Sequence, residues 1–135
     1  MMRILTSRVY ALVAGSFVLI SCSLLASRTW AGLRRTEPVI INTAGRYAQG
    51  SLGSARDAAD GNQSIGCVIR ESGLVSCSAR SASNTVLSCG SNDPLYRAAA
   101  QSLNGDSRLY FSADAAGNCT SLVVENYSFW LPKPP

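Results

Sequence analysis

Histidine is absent from the sequence, and lysine occurs once, at Lys133. The lack of histidine removes the commonest general base and the commonest metal ligand of enzymes. A thiol nucleophile would have no histidine partner, and a serine–lysine pair would depend on Lys133 in a proline-rich tail. The phosphate-binding sequence GxxxxGK[ST] is missing as well. The sequence therefore predicts a protein without catalytic activity and without a cofactor.

Charge is missing from residues 9–27, and this stretch follows the basic residues Arg3 and Arg8. A basic flank before an apolar run is the pattern of an export signal. We interpret residues 1–31 as a signal peptide or a membrane anchor. This predicts a protein that is exported to the periplasm, the cell surface or the medium.

Three outcomes stay open for this N-terminal segment. Residues 29–31, Thr-Trp-Ala, suit cleavage after Ala31. Residues 19–22, Leu-Ile-Ser-Cys, resemble a bacterial lipobox, which would make Cys22 a lipidated N-terminus. An uncut segment would keep residues 9–27 as an anchor of about the length that spans a bilayer.

The positive charge of the chain, +4 in total, depends on the same segment. From Gly32 onward, nine basic and eight acidic residues leave a net charge of +1. The arginines there stand singly, apart from the doublet Arg34 and Arg35. Because a phosphate-binding surface needs clustered cations, we expect no nucleic-acid partner. We expect membrane contact only through the N-terminal segment or a lipid.

Composition divides the chain behind this segment into three parts. Residues 32–45 are predicted to be a linker, in which residues 38–41 could form an edge strand. Residues 46–130 have a steady serine-rich, alternating pattern and are predicted to form one disulfide-stapled, β-rich domain. Residues 131–135, Leu-Pro-Lys-Pro-Pro, form a proline-rich tail.

The best-defined local element is a hairpin with strands at residues 65–70 and 74–79. The intervening Glu-Ser-Gly suits a type I turn that ends in a left-handed glycine, Gly73. In that register Cys67 opposes Cys77, and both lie on the apolar face of the hairpin. A third strand at residues 85–89 would then bring Cys89 opposite Cys77.

A helix and a second hairpin follow. Asp93 is a suitable N-cap, Pro94 suits the first helical turn, and Leu95 begins the face predicted to pack on the sheet. Residues 108–113 and 119–130 predict a C-terminal hairpin. The predicted fold class is α+β: a small antiparallel β-meander with one main packing helix, a C-terminal β-hairpin and two disulfides.

The four domain cysteines indicate a pair of disulfides, as expected for a small exported domain. We favour Cys67–Cys77 with Cys89–Cys119, because the first two residues are directly opposed. The pairing Cys77–Cys89 with Cys67–Cys119 also fits one row and stays open. Nine, eleven and twenty-nine residues separate successive cysteines, which does not suit zinc, so no metal site is predicted.

Three aromatic side chains, Tyr110, Tyr127 and Trp130, would form a platform for a sugar or a protein if they were exposed together. We therefore expect an exported, non-catalytic module of the envelope or the medium that binds an unknown protein or glycan, or has a structural role. One alternative is a secreted inhibitor of a hydrolase, which would use the loops at 71–73 and 81–84. The other is a small hydrolase that would use Asp57, Asp60 or Glu125.

Overall fold

A computed structural model describes residues 33–130 of the chain. The predicted signal peptide or anchor, with Cys22, and the predicted tail at 131–135 lie outside the described residues.

Two antiparallel sheets and two helices make up this part of the chain, and they confirm the predicted α+β class. One sheet has the strand order β1-β2-β6-β7, and the other has the order β3-β4-β5. In chain order the elements are β1 (Ile40–Asn42), β2 (Tyr47–Ser51), α1 (Leu52–Arg56), β3 (Ser64–Ile69), β4 (Val75–Arg80), β5 (Val86–Ser91), α2 (Pro94–Gln101), β6 (Arg108–Ala113) and β7 (Cys119–Glu125).

The β3–β4 hairpin has the predicted register. Cys67 lies opposite Cys77, and Ile65 lies opposite Ala79. Gly73 closes the turn with a φ of 83°, the left-handed conformation that glycine adopts without a steric cost. Strand β5 continues the meander and places Cys89 opposite Cys77.

Both favoured disulfides are present, Cys67–Cys77 within the β3–β4 hairpin and Cys89–Cys119 between the two sheets. Beside the second bridge, the amide of Gly90 donates a 2.9 Å hydrogen bond to the carbonyl oxygen of Gly117. This bridge and this hydrogen bond join β5 to the turn before β7. The core lies between the sheets, and its fully buried side chains include Val75, Cys77, Leu109 and Phe111.

Strand β1 lies within the predicted linker, at the edge of the four-stranded sheet. The side chain of Val39, just before it, is buried in the core. A Cβ atom on Gly50 would come within 3.0 Å of the Cα atom of Val39, so glycine permits this close approach. The segment before β2 is therefore part of the folded domain.

Helix α2 begins as predicted, with the Asp93 carboxylate accepting a 2.8 Å hydrogen bond from the amide of Leu95. Leu95, predicted to begin the packing face, is 76% exposed, so this part of the prediction is wrong. The helix instead turns Tyr96, Ala99 and Ala100 toward the core. The small alanines at this contact allow the helix to lie close to the strands.

The second strand of the predicted C-terminal hairpin, residues 119–130, is shorter than expected. Strand β7 ends at Glu125, because Asn126 leaves the ladder and binds the loop between α2 and β6. The Asn126 side chain accepts hydrogen bonds from Asn104 and Ser107 and donates one to the carbonyl oxygen of Ser102.

Candidate functional site

The outer face of the four-stranded sheet, which points away from the core, carries an uncharged row of side chains. The row crosses all four strands: Ile40 pairs with Gln49, Gln49 with Tyr110, and Tyr110 with Val123. Neighbouring strands lie about 4.8 Å apart, so the row is about 14 Å long. We call this row and the adjacent Tyr47 the outer sheet face.

Tyr47 and Tyr110 form the aromatic centre of the outer sheet face. Their ring centroids are 5.7 Å apart and their planes differ by 29°, a stacked arrangement. Both rings are partly exposed, and the neighbouring Ile40 and Val123 are exposed. Outward positions of an antiparallel sheet are usually polar, so an aromatic and aliphatic surface at this place is unusual.

Polar groups flank the two rings. The amide nitrogen of Asn42 lies 3.5 Å from the hydroxyl oxygen of Tyr47. The Gln49 side-chain oxygen accepts a 3.0 Å hydrogen bond from Arg108, whereas its amide nitrogen has no partner within residues 33–130. At the other side Ser112 and Thr120 share a 2.8 Å hydrogen bond between their hydroxyl groups.

Arg108 limits one end of the outer sheet face. Its Nε donates to Glu37 at 2.6 Å and its Nη1 donates to Glu125 at 2.9 Å. The guanidinium carbon lies 6.0 Å from the centre of the Trp130 ring, within the range of a cation–π contact. The two carboxylates share this one cation, so the charged groups of this end are paired with each other. The adjacent row itself contains no charged side chain.

The three aromatic residues predicted to share a platform occupy different environments. Tyr110 belongs to the outer sheet face, and Tyr127 is 58% exposed and stacks on Phe129 at 4.9 Å. Trp130 is only 5% exposed and packs near Arg108, so the three side chains do not form one exposed surface. Sequence reasoning missed Tyr47, the partner of Tyr110, because only the long-range pairing of β2 with β6 brings them together.

The three acidic residues considered for hydrolysis do not form one catalytic group. Asp57 and Asp60 both line an open pocket of about 450 Å³, whereas Glu125 is bound to Arg108 on the four-stranded sheet. Asp57 lies 3.6 Å from the Nε of its neighbour Arg56.

Asp60 has a structural role in the loop before β3. Its carboxylate accepts a 2.6 Å hydrogen bond from the Gln63 side chain and further bonds from the amides of Asn62 and Gln63. The side-chain bond from Gln63, followed by the amide of Asn62, lowers the pKa of Asp60 below its ordinary value. An ionised carboxylate with these partners holds the loop in place and is poorly suited to protonate a leaving group.

The two loops considered for hydrolase inhibition are both held by local contacts. The carbonyl oxygen of Gly73 accepts a 3.1 Å hydrogen bond from Arg97 on α2. In the other loop the Ser83 hydroxyl lies within hydrogen-bonding distance of Ser81 and Thr85. Glu71 is the largest exposed side chain of the first loop, and Asn84 is the largest of the second. Neither loop carries an exposed aromatic side chain or arginine, the residue types that most often anchor a protein interface.

Between residues 33 and 130, histidine, cysteine and acidic side chains form no group of three or more that could hold a metal ion. In the same range no helix is both long enough and apolar enough to cross a bilayer.

Comparison with known proteins gives no relative from which a function could be inferred. No protein-family model matches the chain, and no match is found among the curated proteins or the solved structures.

Proposed function

We propose that this protein is an exported, non-catalytic module that binds a neutral glycan of the cell envelope through the outer sheet face. The observation that carries the proposal is the uncharged row across the sheet, with Tyr47 stacked beside Tyr110. Sugar rings present apolar C–H groups on their faces and hydroxyl groups at their edges. A surface that combines aromatic rings with amide groups matches both properties.

The geometry favours an extended glycan over a single sugar. The row is about 14 Å long, which corresponds to two or three sugar rings. The row lies on an open sheet surface and not in a pocket. Gln49 lies between the exposed Ile40 and the tyrosine pair. Its amide nitrogen has no partner among the described residues and is positioned to donate to a sugar hydroxyl. The absence of charge in the row suits a neutral polysaccharide better than a phosphorylated or sulfated one.

The two disulfides support the exported part of the proposal. Disulfides form and persist outside the reducing cytosol, and they stabilise small domains that have a limited core. Cys89–Cys119 connects the four-stranded sheet to the three-stranded sheet. The sheet that carries the outer sheet face is therefore covalently fixed to the rest of the domain. A rigid surface loses less conformational entropy when a ligand binds.

The proposal is tested by co-sedimentation of the full chain with insoluble neutral polysaccharides, namely chitin, cellulose and curdlan. We expect retention on at least one of them and no release of soluble sugar. Tyr47→Ala and Tyr110→Ala should each weaken retention about tenfold, which corresponds to about 1.4 kcal/mol. Tyr127→Ala is the matched control, because Tyr127 is exposed on another surface and should leave retention unchanged.

Three results would contradict the proposal. The first is no retention on any polysaccharide, and the second is retention that survives both tyrosine substitutions. The third is capture of a protein in place of a glycan by the same face, which would make the module a protein-binding one. Release of sugar that depends on Asp57 or Asp60 would instead support the hydrolase alternative.

A further inference from the structure

The two ends of the described chain run side by side. Arg35 and Trp130 form a parallel β-bridge, and the amide of Arg35 donates a 2.8 Å hydrogen bond to the carbonyl oxygen of Phe129. The guanidinium carbon of Arg35 also lies 5.5 Å from the centre of the Phe129 ring. Backbone pairing and side-chain contact therefore fix the segment before β1 against the segment after β7.

Three aromatic rings form a continuous stack at this place. The Tyr127 and Phe129 rings are nearly parallel, 4.9 Å apart with planes that differ by 12°. The Phe129 and Trp130 rings meet edge to face at 4.7 Å. Trp130 is buried, Phe129 is half-buried and Tyr127 is exposed, so the stack extends from the interior to the surface.

The segment that pairs with the end of this stack through Arg35 carries exposed apolar and basic side chains. Leu33 is 63% exposed, Tyr127 is 58% exposed, and the side chains of Arg34 and Arg35 are exposed beside Leu33 in the chain. We call Leu33, Arg34, Arg35, Tyr127 and Phe129 the terminal aromatic surface.

We propose that the terminal aromatic surface binds the headgroup region of an anionic phospholipid bilayer. Tyrosine and other aromatic side chains are favoured at the interface between lipid and water, where one end of the ring is apolar and the other is hydrated. Arginines at the same level attract anionic headgroups, and an exposed leucine adds apolar contact. This contact is separate from the glycan-binding face and does not depend on it.

The position of the surface in the chain favours a bilayer over other partners. Leu33 is the first described residue, and the 32 residues before it include the uncharged residues 9–27. If that segment is retained in the membrane, or if Cys22 carries a lipid, the chain is held at a bilayer within about ten residues of Leu33. Arg34 and Arg35 are then the first charges of the described domain, with the sign that anionic headgroups attract.

The test uses the full chain in vesicles that contain a phospholipid with a photoactivatable acyl chain. Vesicles of phosphatidylcholine are compared with vesicles of phosphatidylcholine and phosphatidylglycerol, and the labelled peptides are identified by mass spectrometry. Labelling of residues 9–27 serves as the internal reference in every sample. We expect labelling of residues 127–130 to be several-fold higher in the vesicles that contain phosphatidylglycerol.

Two variants test whether labelling of residues 127–130 depends on the terminal aromatic surface. The other explanation is that the membrane segment at residues 9–27 merely holds the domain close to the bilayer. Arg35→Gln should lower labelling of residues 127–130 about fivefold in the anionic vesicles, the factor expected for one basic residue near such a surface. Tyr127→Ser should lower this labelling by a similar factor, and Tyr127 is 58% exposed. Arg80→Gln and Tyr110→Ser are the controls, and both should leave the labelling unchanged.

Unchanged labelling in both Arg35→Gln and Tyr127→Ser would overturn the proposal. The membrane segment at residues 9–27 alone would then explain why residues 127–130 are labelled. Equal labelling in neutral and anionic vesicles would also overturn it. Labelling at Tyr110 as strong as at Tyr127 would show that no defined surface faces the lipid. Glycan retention is measured in a separate assay, so failure here leaves the proposed function standing.

Discussion

Arg108 donates a 2.6 Å hydrogen bond through Nε to Glu37, although 71 positions separate the two residues in the sequence. The arginine lies on β6 near the middle of the four-stranded sheet, and the glutamate precedes β1. The arginine side chain is 16% exposed and also binds Glu125 and Gln49. One guanidinium group therefore joins the first segment of the domain to β2, β6 and β7.

Replacement of this arginine is expected to be costly. Arg108→Ala would leave Glu37 and Glu125 close together without a cation, and would remove the contact with Trp130. We expect the free energy of unfolding to fall by about 2–4 kcal/mol. This is below the range of about 3–5 kcal/mol for fully buried ion pairs, because Glu37 and Glu125 are 20% and 31% exposed. Urea unfolding followed by circular dichroism would measure this loss.

Arg80→Ala is the matched control for that experiment, since Arg80 is exposed at the end of β4. Its free energy of unfolding should change by less than about 0.5 kcal/mol. A similar loss in both variants would show that Arg108 acts through general charge rather than through its contacts.

The two disulfides should contribute unequally to stability. Cys67–Cys77 closes a loop with a sequence separation of 10, and Cys89–Cys119 closes one of 30. The loop-entropy relation gives about 2.7 kcal/mol for the shorter loop and about 3.6 kcal/mol for the longer one. Paired replacements by alanine, compared by guanidinium unfolding, should show the larger loss for Cys89 with Cys119. An equal or reversed order would contradict the entropic explanation.

The orientation of α2 can be tested at two positions. Leu95→Ala should change the free energy of unfolding by less than about 0.5 kcal/mol, because the leucine is exposed to solvent. Ala100→Leu should cost about 1–3 kcal/mol, because the alanine is buried against the core and a larger side chain would overpack it. Thermal unfolding would compare the two variants. A large loss in Leu95→Ala would restore the packing face predicted from the sequence.

Two aspartates predict a dependence of stability on acid pH. Hydrogen bonds from Gln63 to Asp60, and from Asn118 to Asp114, lower the pKa of each carboxyl group below its ordinary value of 3.8. A carboxyl group whose pKa is lower in the folded state stabilises the fold above the unfolded value. This contribution is lost as the pH falls through the folded pKa.

Stability of the unaltered protein should therefore decline below about pH 4. A double variant, Asp60→Asn with Asp114→Asn, should be less stable near neutral pH and should lose less on acidification. Urea midpoints measured from pH 7 to pH 2 would show whether the stabilities of the unaltered protein and the double variant converge at low pH. Parallel curves would contradict the role given to these carboxylates.

Local features of the fold could be predicted because several short-range signals agreed. In the β3–β4 hairpin the alternation of apolar residues, the glycine at position 73 and the placement of Cys67 and Cys77 all require the same register. The Asp93 cap and Pro94 likewise define the start of α2 within adjacent residues. Such features depend on contacts a few residues apart, which a single sequence displays directly.

Long-range features of the candidate surface could not be predicted in this way. Tyr47 meets Tyr110 only because β2 pairs with β6, and no local pattern specifies which strands become neighbours. The face of α2 depends on where the core lies, so propensity and capping could not distinguish Leu95 from Tyr96. The end of β7 depends on Asn126 meeting the loop after α2, which is again a tertiary contact.

The bridge between Arg35 and Trp130 has a practical consequence for protein engineering. Because the two strands run alongside each other, the domain can be inserted into a surface loop of a carrier protein without separating the carrier's own chain ends. For the same reason a short linker should allow circular permutation, with new termini opened at the exposed residues 115 and 116. Cys89–Cys119 would then retain β7 on the rest of the permuted domain.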